Sequence, residues 1–322
     1  MKPHFYSADE YLKETFGKKM FRLSLDAGTT CPNRDGSKGY GGCVFCSAKG
    51  SGDFAATRST SVTLQIEEAK KQVAKKLPKN GASYGYLAYF QSFTSTYAPA
   101  EYLRPLFTEA IQHPEIEALF LGTRPDCLPP EVLELLAELS TSKPVYVELG
   151  LQTSKEATVS YINRCYGNSV FEDAVHALHK RGIPVIVHCI LGLPYESLED
   201  MKHTVDYICA LPVHGIKLQL LHVLKGTKLA DDYEELNQKH AFFCMDRNNY
   251  INTLAELISR IPAHIVIYRL TGDGPKNLLI APAWSADKKR VQNDIRKELI
   301  ERNIIQGGTT PLCNPNPSCY TN

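Results

Sequence analysis

An α/β fold of parallel strands covered by helices is predicted by three features of this chain. Short runs rich in β-branched, aromatic and leucine residues recur along it. Patterns with an apolar residue every three or four positions stand between those runs, and helix breakers separate the two kinds of segment. Such alternation needs crossover connections, which make neighbouring strands parallel, whether they form a full barrel, a partial barrel or an open doubly wound sheet. With 322 residues, 43% of them hydrophobic, the chain can bury a large core in one domain or two.

The first element is a short helix: Ser7 and Glu10 have the spacing of a capping box, and Tyr11, Leu12 and Phe16 supply an apolar face. "FRLSLDAG" reads as the first strand, and "YGYLAYF", "IEALFLG", "PVYVELGL", "IPVIVHCILG" and "GIKLQLLHV" bring the strands to six. Helical patterns fall between them in "SVTLQIEEAKKQVAKKL", "AEYLRPLFTEAIQ", "PEVLELLAELS", "SVFEDAVHALHKRG" and "SLEDMKHTVDYICAL". Beyond residue 230, "DDYEELNQKHAFFCMDRNNYINTLAELISRI" reads as helical, "AHIVIYRL" as another strand and "SADKKRVQNDIRKELIERN" as a last helix, extending the same layer. The end, "GGTTPLCNPNPSCYTN", has the composition of a loose tail or surface strap.

Composition narrows the functional classes. No run of about 18 apolar residues suggests a membrane span, and "MKPHFYSADEYLKETFGKK" lacks the apolar stretch of a signal peptide, so a cytoplasmic protein without a membrane partner is expected. A formal net charge of +1 gives no general pull on polyanions. Lys70, Lys71, Lys75, Lys76 and Lys79 form one basic segment and Lys288, Lys289 and Arg290 another; both read as solvated helix faces. Ten cysteines in a reducing compartment are free thiols or metal ligands. Among them Cys165, Cys189, Cys209 and Cys244 are expected as small apolar fillers.

The stretch "TTCPNRDGSKGYGGCVFCSAKGSGDF" is different. It groups Cys31, Cys43 and Cys46 with the spacing C-x11-C-x2-C just after the first strand, at the end where parallel β/α folds gather their active-site loops. A structural zinc site takes four protein ligands; His4 is distant, and Asp35 and Asp53 are poor partners for a closed thiolate site. A 4Fe-4S cluster suits three cysteines, because one iron is left open to a small molecule. Gly39, Gly41 and Gly42 let the loop turn closely around such a cluster and present N–H groups to its sulfurs. The alternative from another class is a zinc-containing nucleic-acid binding protein that uses the lysine segments for phosphate.

The loop resembles that of radical S-adenosylmethionine (SAM) enzymes, with a longer first gap than their commonest C-x3-C-x2-C. "TTCPNRDGSKGYGGCVFC" with "GSGDF" behind it is similar to the branch related to the catalytic subunit of the elongator complex, and more closely to bacterial proteins of the YhcC and YtqA type. "YFQSFTSTYAP", "GTRPDCL", "VELGLQT", "INRCY", "LGLP" and "YRLTGDGPKNLLIAP" carry the resemblance over nearly the whole chain before the tail. It implies a partial (β/α)6 TIM-like barrel of the radical SAM type with a C-terminal α/β extension. The implied division is an N-terminal helical segment (1–20), the partial barrel (21–230), an extension packed on it (231–308) and a tail (309–322).

The resemblance also implies roles. Cys31, Cys43 and Cys46 ligate the 4Fe-4S cluster, whose open iron binds the amino and carboxylate groups of SAM. An electron from a donor such as flavodoxin or ferredoxin then yields a 5'-deoxyadenosyl radical that takes hydrogen from a substrate. Phe45 lies beside the adenine. Gln152 and Arg164 keep the separation found in oxygen-independent coproporphyrinogen oxidases, where the glutamine contacts the ribose and the arginine fork the carboxylate. Where many members carry Gly-Gly-Glu for the amino group, this chain has "FQSFTST", which makes Gln91, Ser92 and Thr94 candidate neutral acceptors. Thr123 and Arg124 hold a similar rim position. His188 stands where the coproporphyrinogen enzymes have a ribose-binding acid, and Gly192 and Pro194 imply a turn against the adenine. Arg269, Thr271 and Asp273 form a polar group for substrate, although "GDGP" is equally turn chemistry. The expected function is a radical SAM enzyme acting on a bulky substrate such as tRNA, with a radical SAM enzyme of small-molecule metabolism as a further alternative.

Overall fold

In a computed structural model, which describes residues 4–50, 52–53, 55–57, 61–272 and 274–309, the apolar runs become parallel strands in sequence order. They are β1 (Lys19–Leu25), β2 (Tyr84–Phe90), β3 (Ile116–Thr123), β4 (Val145–Gln152), β5 (Val185–Leu191) and β6 (Gly215–Leu220). A two-residue strand β7 (Val223–Leu224) follows, then β8 (Val266–Arg269) and β9 (Leu279–Ala281). The main sheet has the order β1-β2-β3-β4-β5-β6-β8, so the expected extra strand "AHIVIYRL" joins the six as a seventh. β7 and β9 pair antiparallel in a separate small sheet. Asp273, the tail from residue 310 and the side chain of Cys244 lie outside the described residues.

Each crossover is helical. α1 (Ala8–Phe16) precedes β1, and α2 (Val62–Val73), α3 (Ala100–Gln112), α4 (Pro130–Ser140), α5 (Glu156–Tyr161), α6 (Asn168–His179) and α7 (Leu198–Cys209) link the strands in turn. The expected capping box of α1 is present, with Ser7 and Glu10 satisfying each other's backbone N–H. The expected helical stretch after residue 230 is two helices, α8 (Lys228–Gln238) and α9 (Arg247–Arg260), followed by α10 (Lys288–Glu301). The break has a local cause: His240 takes a left-handed φ of 52°, and Asp246 caps α9 by accepting from the Asn249 N–H.

The two faces of the sheet differ in what covers them. Leu23, Leu25, Leu119, Leu121, Val147, Leu149 and Val187 point outward into a large core shared with the helices. On the inner face Leu87, Tyr89, Ala118, Phe120, Tyr146 and Ile186 meet Leu12 of α1. The N-terminal segment spans the opening between the end strands: α1 packs on both β1 and β8, and the Ile267 N–H donates to the Tyr6 carbonyl at 2.9 Å. The result is a curled half-barrel plugged at its lower end by α1. Its upper end, where the strand C-termini emerge, is left to the loops.

Candidate active site

The long first gap of the cysteine motif is a hairpin. Asp35 bridges Tyr40 in antiparallel fashion, and the Gly42 N–H donates to the Asn33 carbonyl at 2.7 Å, which returns Cys43 to the neighbourhood of Cys31. Gly41 and Gly42 take left-handed φ of 77° and 79°. Gly39 answers a demand for space instead: a Cβ there would lie 2.3 Å from Asn33 Oδ1 and 2.8 Å from Cys165 Sγ.

The peptide between the last two cysteines is pinned on both sides. The Val44 N–H donates to the Ile162 carbonyl at 3.2 Å, and the Val44 carbonyl accepts from the Leu229 N–H at 2.8 Å. Val44 is buried in a small apolar cluster with Ile162, Ile190, Leu193 and Leu229, and Phe45 packs against that cluster. Asn33, fully buried, donates to Cys43 Sγ at 3.7 Å and accepts from the Cys165 thiol at 3.0 Å. Cys165 is therefore part of the site and not the apolar filler expected; Cys189 and Cys209 do lie in and against the main core. Arg34 donates to the carbonyls of Cys46 and Ser47 at 3.2 and 2.6 Å.

Burial pushes the Cys43 thiol up to about 12, with the neighbouring Cys46 adding to the rise and Arg124 opposing it. Burial raises Cys46 too, against Arg34. Thiolates in such surroundings need the charge of a metal centre to hold them. Among the described residues only Glu67, His113 and Glu115 bring three metal-binding atoms within 4.8 Å of one another, so the three cysteine sulfurs spread wider than that. Thiolates on one tetrahedral zinc lie about 3.8 Å apart. The donor set thus fits a polynuclear cluster better than a single ion. The three residues weighed as a fourth ligand are engaged elsewhere: His4 Nδ1 meets the Ile304 carbonyl at 2.7 Å, exposed Asp35 accepts from the Ser37 N–H at 3.0 Å, and Asp53 accepts from the Ser47 hydroxyl at 2.8 Å.

Around this loop stand the strand ends. Ser92 Oγ, just past β2, and Gln152 Oε1, at the end of β4, are buried acceptors with no hydrogen-bond partner. Gln152 sits where the pairing of β4 with β5 slips, and its φ is 69°. Beside Ser92, the half-buried Gln91 donates its N–H to the Leu25 carbonyl at 3.4 Å, and buried Thr94 donates its N–H to the Thr30 carbonyl at 3.3 Å. Gly192 takes a left-handed φ of 83°, and Pro194 is buried next to Leu193 of the Phe45 cluster.

Arg164 is buried, with its donors committed. Nη1 donates to the carbonyls of Leu151 and Thr153 at 2.6 and 2.9 Å, Nε to the Tyr166 carbonyl at 3.1 Å, and Nη2 to Asn168 Oδ1 at 2.8 Å. The expected carboxylate fork is thus turned onto the end of β4, and burial lowers its pKa from the usual arginine value. Arg124 instead forms a bidentate pair with Asp126 at 2.9 and 2.8 Å, which outweighs burial and keeps it protonated. Thr123 shares a hydrogen bond with Thr96 at 2.6 Å.

His188 faces the barrel lumen with both ring nitrogens engaged, Nε2 by Glu148 at 2.8 Å and Nδ1 by the Gln219 amide at 3.0 Å. Burial and the nearby Lys217 push the imidazole down to about 4, so the ring is neutral with its proton on Nε2. Glu148 also accepts from Tyr89 at 2.6 Å, from Arg22 at 3.3 Å and from Lys217. Burial alone would neutralise Glu148; Lys217, Arg22 and His188 together hold it ionised, well below the usual carboxylate range. Arg269 reaches Gln219 at 3.4 Å, Thr271 is buried, and the third member of that expected group, Asp273, lies outside the described residues.

Glu148, Lys217 and Arg22 were not among the sequence candidates. Their signal was a charged residue on the inward register of an otherwise apolar strand, as in "VYVELGL" and "GIKLQLL". The lysines near residue 75 lie at the opposite end of the barrel: Lys70 pairs with Glu67 and Glu115, and Lys76 lines a groove with Lys13, Lys18 and Lys19. No helix among the described residues is long and apolar enough to cross a membrane.

Comparison with known proteins places this geometry. The sequence profile of the Radical SAM superfamily matches residues 29–208, and that of the Radical_SAM C-terminal domain matches residues 213–301. The chain is 41% identical over 303 residues to the uncharacterized protein YtqA of Bacillus subtilis (strain 168), covering 94% of this chain and 92% of that one. It is 32% identical over 296 residues to the protein YhcC of Escherichia coli (strain K12), covering 91% of each. Among solved structures, archaeal Elp3 from Methanocaldococcus infernus, lacking its N-terminus, superposes with a TM-score of 0.62 at 15% identity, a likeness of fold. That match covers 89% of this chain and 64% of the archaeal one, so this chain spans just under two thirds of the Elp3 chain.

Proposed function

The chain belongs to the radical SAM superfamily and is an enzyme of that class; from this premise we propose that it cleaves SAM reductively to a 5'-deoxyadenosyl radical and uses it to modify a bulky substrate such as tRNA. A 4Fe-4S cluster, when bound, supplies the electron for that cleavage, itself recharged by a donor such as flavodoxin or ferredoxin. Cys31, Cys43 and Cys46 would hold it, with Asn33 donating to the Cys43 sulfur and Arg34 steadying the Cys46 carbonyl.

The observation that carries the reading is the pair of buried, unpartnered acceptors at the strand ends. Ser92 Oγ and Gln152 Oε1 lack donors, and the amino group and ribose hydroxyls of SAM are donors. Gln91 and Thr94 flank the first of these acceptors. Phe45, Gly192 and Pro194 offer the adenine an apolar edge. Arg124 brings positive charge beside Cys31 and Cys43. In this reading Arg164 acts by fixing the end of β4, and so Gln152, and His188 bounds the lumen beneath the ribose. The tRNA element rests on resemblance to the elongator-related branch.

Anaerobically purified protein tests the first part: it should contain iron and sulfide and form 5'-deoxyadenosine from SAM under reduction, and Cys43→Ala should lose both properties. Stoichiometric zinc without sulfide would instead mark the cysteines as a structural site. Mass spectrometry of tRNA nucleosides from cells with and without the gene tests the second part. A changed nucleoside is expected; identical profiles would move the enzyme to small-molecule substrates.

A further inference from the structure

A second site lies on the C-terminal extension. A cavity of about 370 Å³ is lined by Arg247, Lys276, Trp284, Asp287 and Arg290, with two alanines completing the wall. Three of these side chains are cationic and one is an indole. Asp287 accepts from the Arg290 N–H at the start of α10 and is the one anion against the three cations of the lining, and Arg247 pairs with Asp294. Neither Lys276 nor Arg290 has an ion-pair partner among the described residues.

The indole is held in place. Its Nε1 donates to the Met245 carbonyl at 2.8 Å, and the ring leans on Tyr250 with centroids 5.7 Å apart. Trp284 remains half-buried, so ring surface is left to the cavity. A fixed aromatic face beside cations without counter-charges is the combination that binds single-stranded nucleic acid, the ring stacking on a base and the cations meeting phosphate.

Topology puts the cavity on the working side of the barrel. Lys276 lies in the segment that leaves the C-terminal end of β8, and Trp284 follows β9, which pairs with β7 just beyond the C-terminal end of β6. The cysteine loop leaves the same edge of the parallel sheet after β1, and Gln152 stands on it at the end of β4.

We propose that this cavity is an RNA subsite, in which Trp284 stacks on an unpaired base while Lys276 and Arg290 hold the adjoining phosphates. The site rests on the reading that the substrate is RNA and adds to it a second anchor outside the barrel mouth.

Trp284 is the single tryptophan of the chain, so its emission reports this site alone. Titrating the reconstituted protein with bulk tRNA should quench that emission saturably. Replacing Lys276 and Arg290 with alanine together should weaken the quenching about tenfold near physiological salt and lower the slope of log K against log salt by about two. Arg290→Ala alone, a single surface change, should lower it by about one. If tRNA binds by mobility shift while the emission stays constant, the RNA lies elsewhere and this site is wrong while the tRNA reading stands. Equal quenching by inorganic polyphosphate would show charge recognition without stacking and overturn the proposal. If tRNA does not bind by either measure, the RNA reading falls together with the site.

Discussion

Arg124 donates through Nη1 to the main-chain carbonyl of Arg164 at 3.1 Å, and the two guanidiniums lie 4.7 and 4.6 Å from the centroid of the Tyr166 ring. Two buried cations tolerate one another because each is otherwise satisfied, Arg124 by the Asp126 carboxylate and Arg164 by three carbonyls and Asn168. A lysine at position 164 keeps the charge but has no planar fork. Arg164→Lys should lower stability by about 2–4 kcal/mol, read as a lower urea midpoint, because buried carbonyls at the end of β4 lose their donors. Weaker SAM binding should follow from the displaced Gln152. A variant with the wild-type midpoint that loses only SAM affinity would show that the guanidinium meets SAM directly.

Glu148 gathers Arg22, Tyr89, His188 and Lys217 on one carboxylate inside the barrel. Glu148→Gln leaves the Lys217 ammonium buried without a counter-charge, a loss of about 3–5 kcal/mol. Removing both charges, as in Glu148→Leu with Lys217→Met, should cost less than the sum of the single changes, since neither charge is then stranded. Strict additivity in a double-mutant cycle of unfolding free energies would mean that the pair is not coupled.

Glu196 is a carboxyl of another kind. It is buried and accepts from Thr153 and Thr158, yet burial outweighs both and raises it from 4.5 to about 7. Between those two values the folded state keeps a proton that the unfolded chain has lost. Stability therefore falls as pH rises through that window, by about 3 kcal/mol in full. Glu196→Gln, which keeps an acceptor for Thr153 and has no charge to form, should flatten this loss. The variant is expected to equal or trail the parent near pH 5 and to exceed it near pH 8 in thermal midpoint. Parallel pH profiles would place the titration elsewhere.

At Gly39 the hairpin runs so close to Asn33 and Cys165 that one methyl group would displace the side chain that donates to the Cys43 sulfur. Gly39→Ala should leave the barrel's thermal midpoint near the parent value, because the hairpin is peripheral to the core. Iron loading after anaerobic reconstitution should fall several-fold. Parent-level loading would show the contact to be slack.

What the sequence made legible was what local pattern encodes. The seven parallel strands, the capping box at Ser7 and Glu10 and the glycine-rich cysteine loop each announce themselves within a few residues. β7 and β9 were invisible because strands of two and three residues carry no period. The lumen network was hidden for another reason: Arg22 and Lys217 meet Glu148 across 126 and 69 residues, and the partners are fixed by curling of the sheet. Arg164 was recognisable as an important arginine, but whether its fork serves a ligand or the main chain depends on where the β4 carbonyls point.

Gln152 allows structure and function to be separated in one substitution. Its left-handed φ of 69° at the end of β4 is strained for a side chain with a Cβ, and its buried Oε1 has no partner, so in fold-stability terms the residue is a liability twice over. Glycine adopts that φ without strain and removes the unsatisfied amide, though the freer unfolded chain offsets part of the gain. Gln152→Gly is therefore expected to match or exceed the parent in urea midpoint by up to about 1 kcal/mol. If the oxygen is kept for SAM, the same variant should bind SAM about tenfold more weakly by equilibrium dialysis, with iron content unchanged. Loss of stability would mean that the amide holds the bulge together, and unaltered SAM affinity would mean that its free oxygen waits for something else.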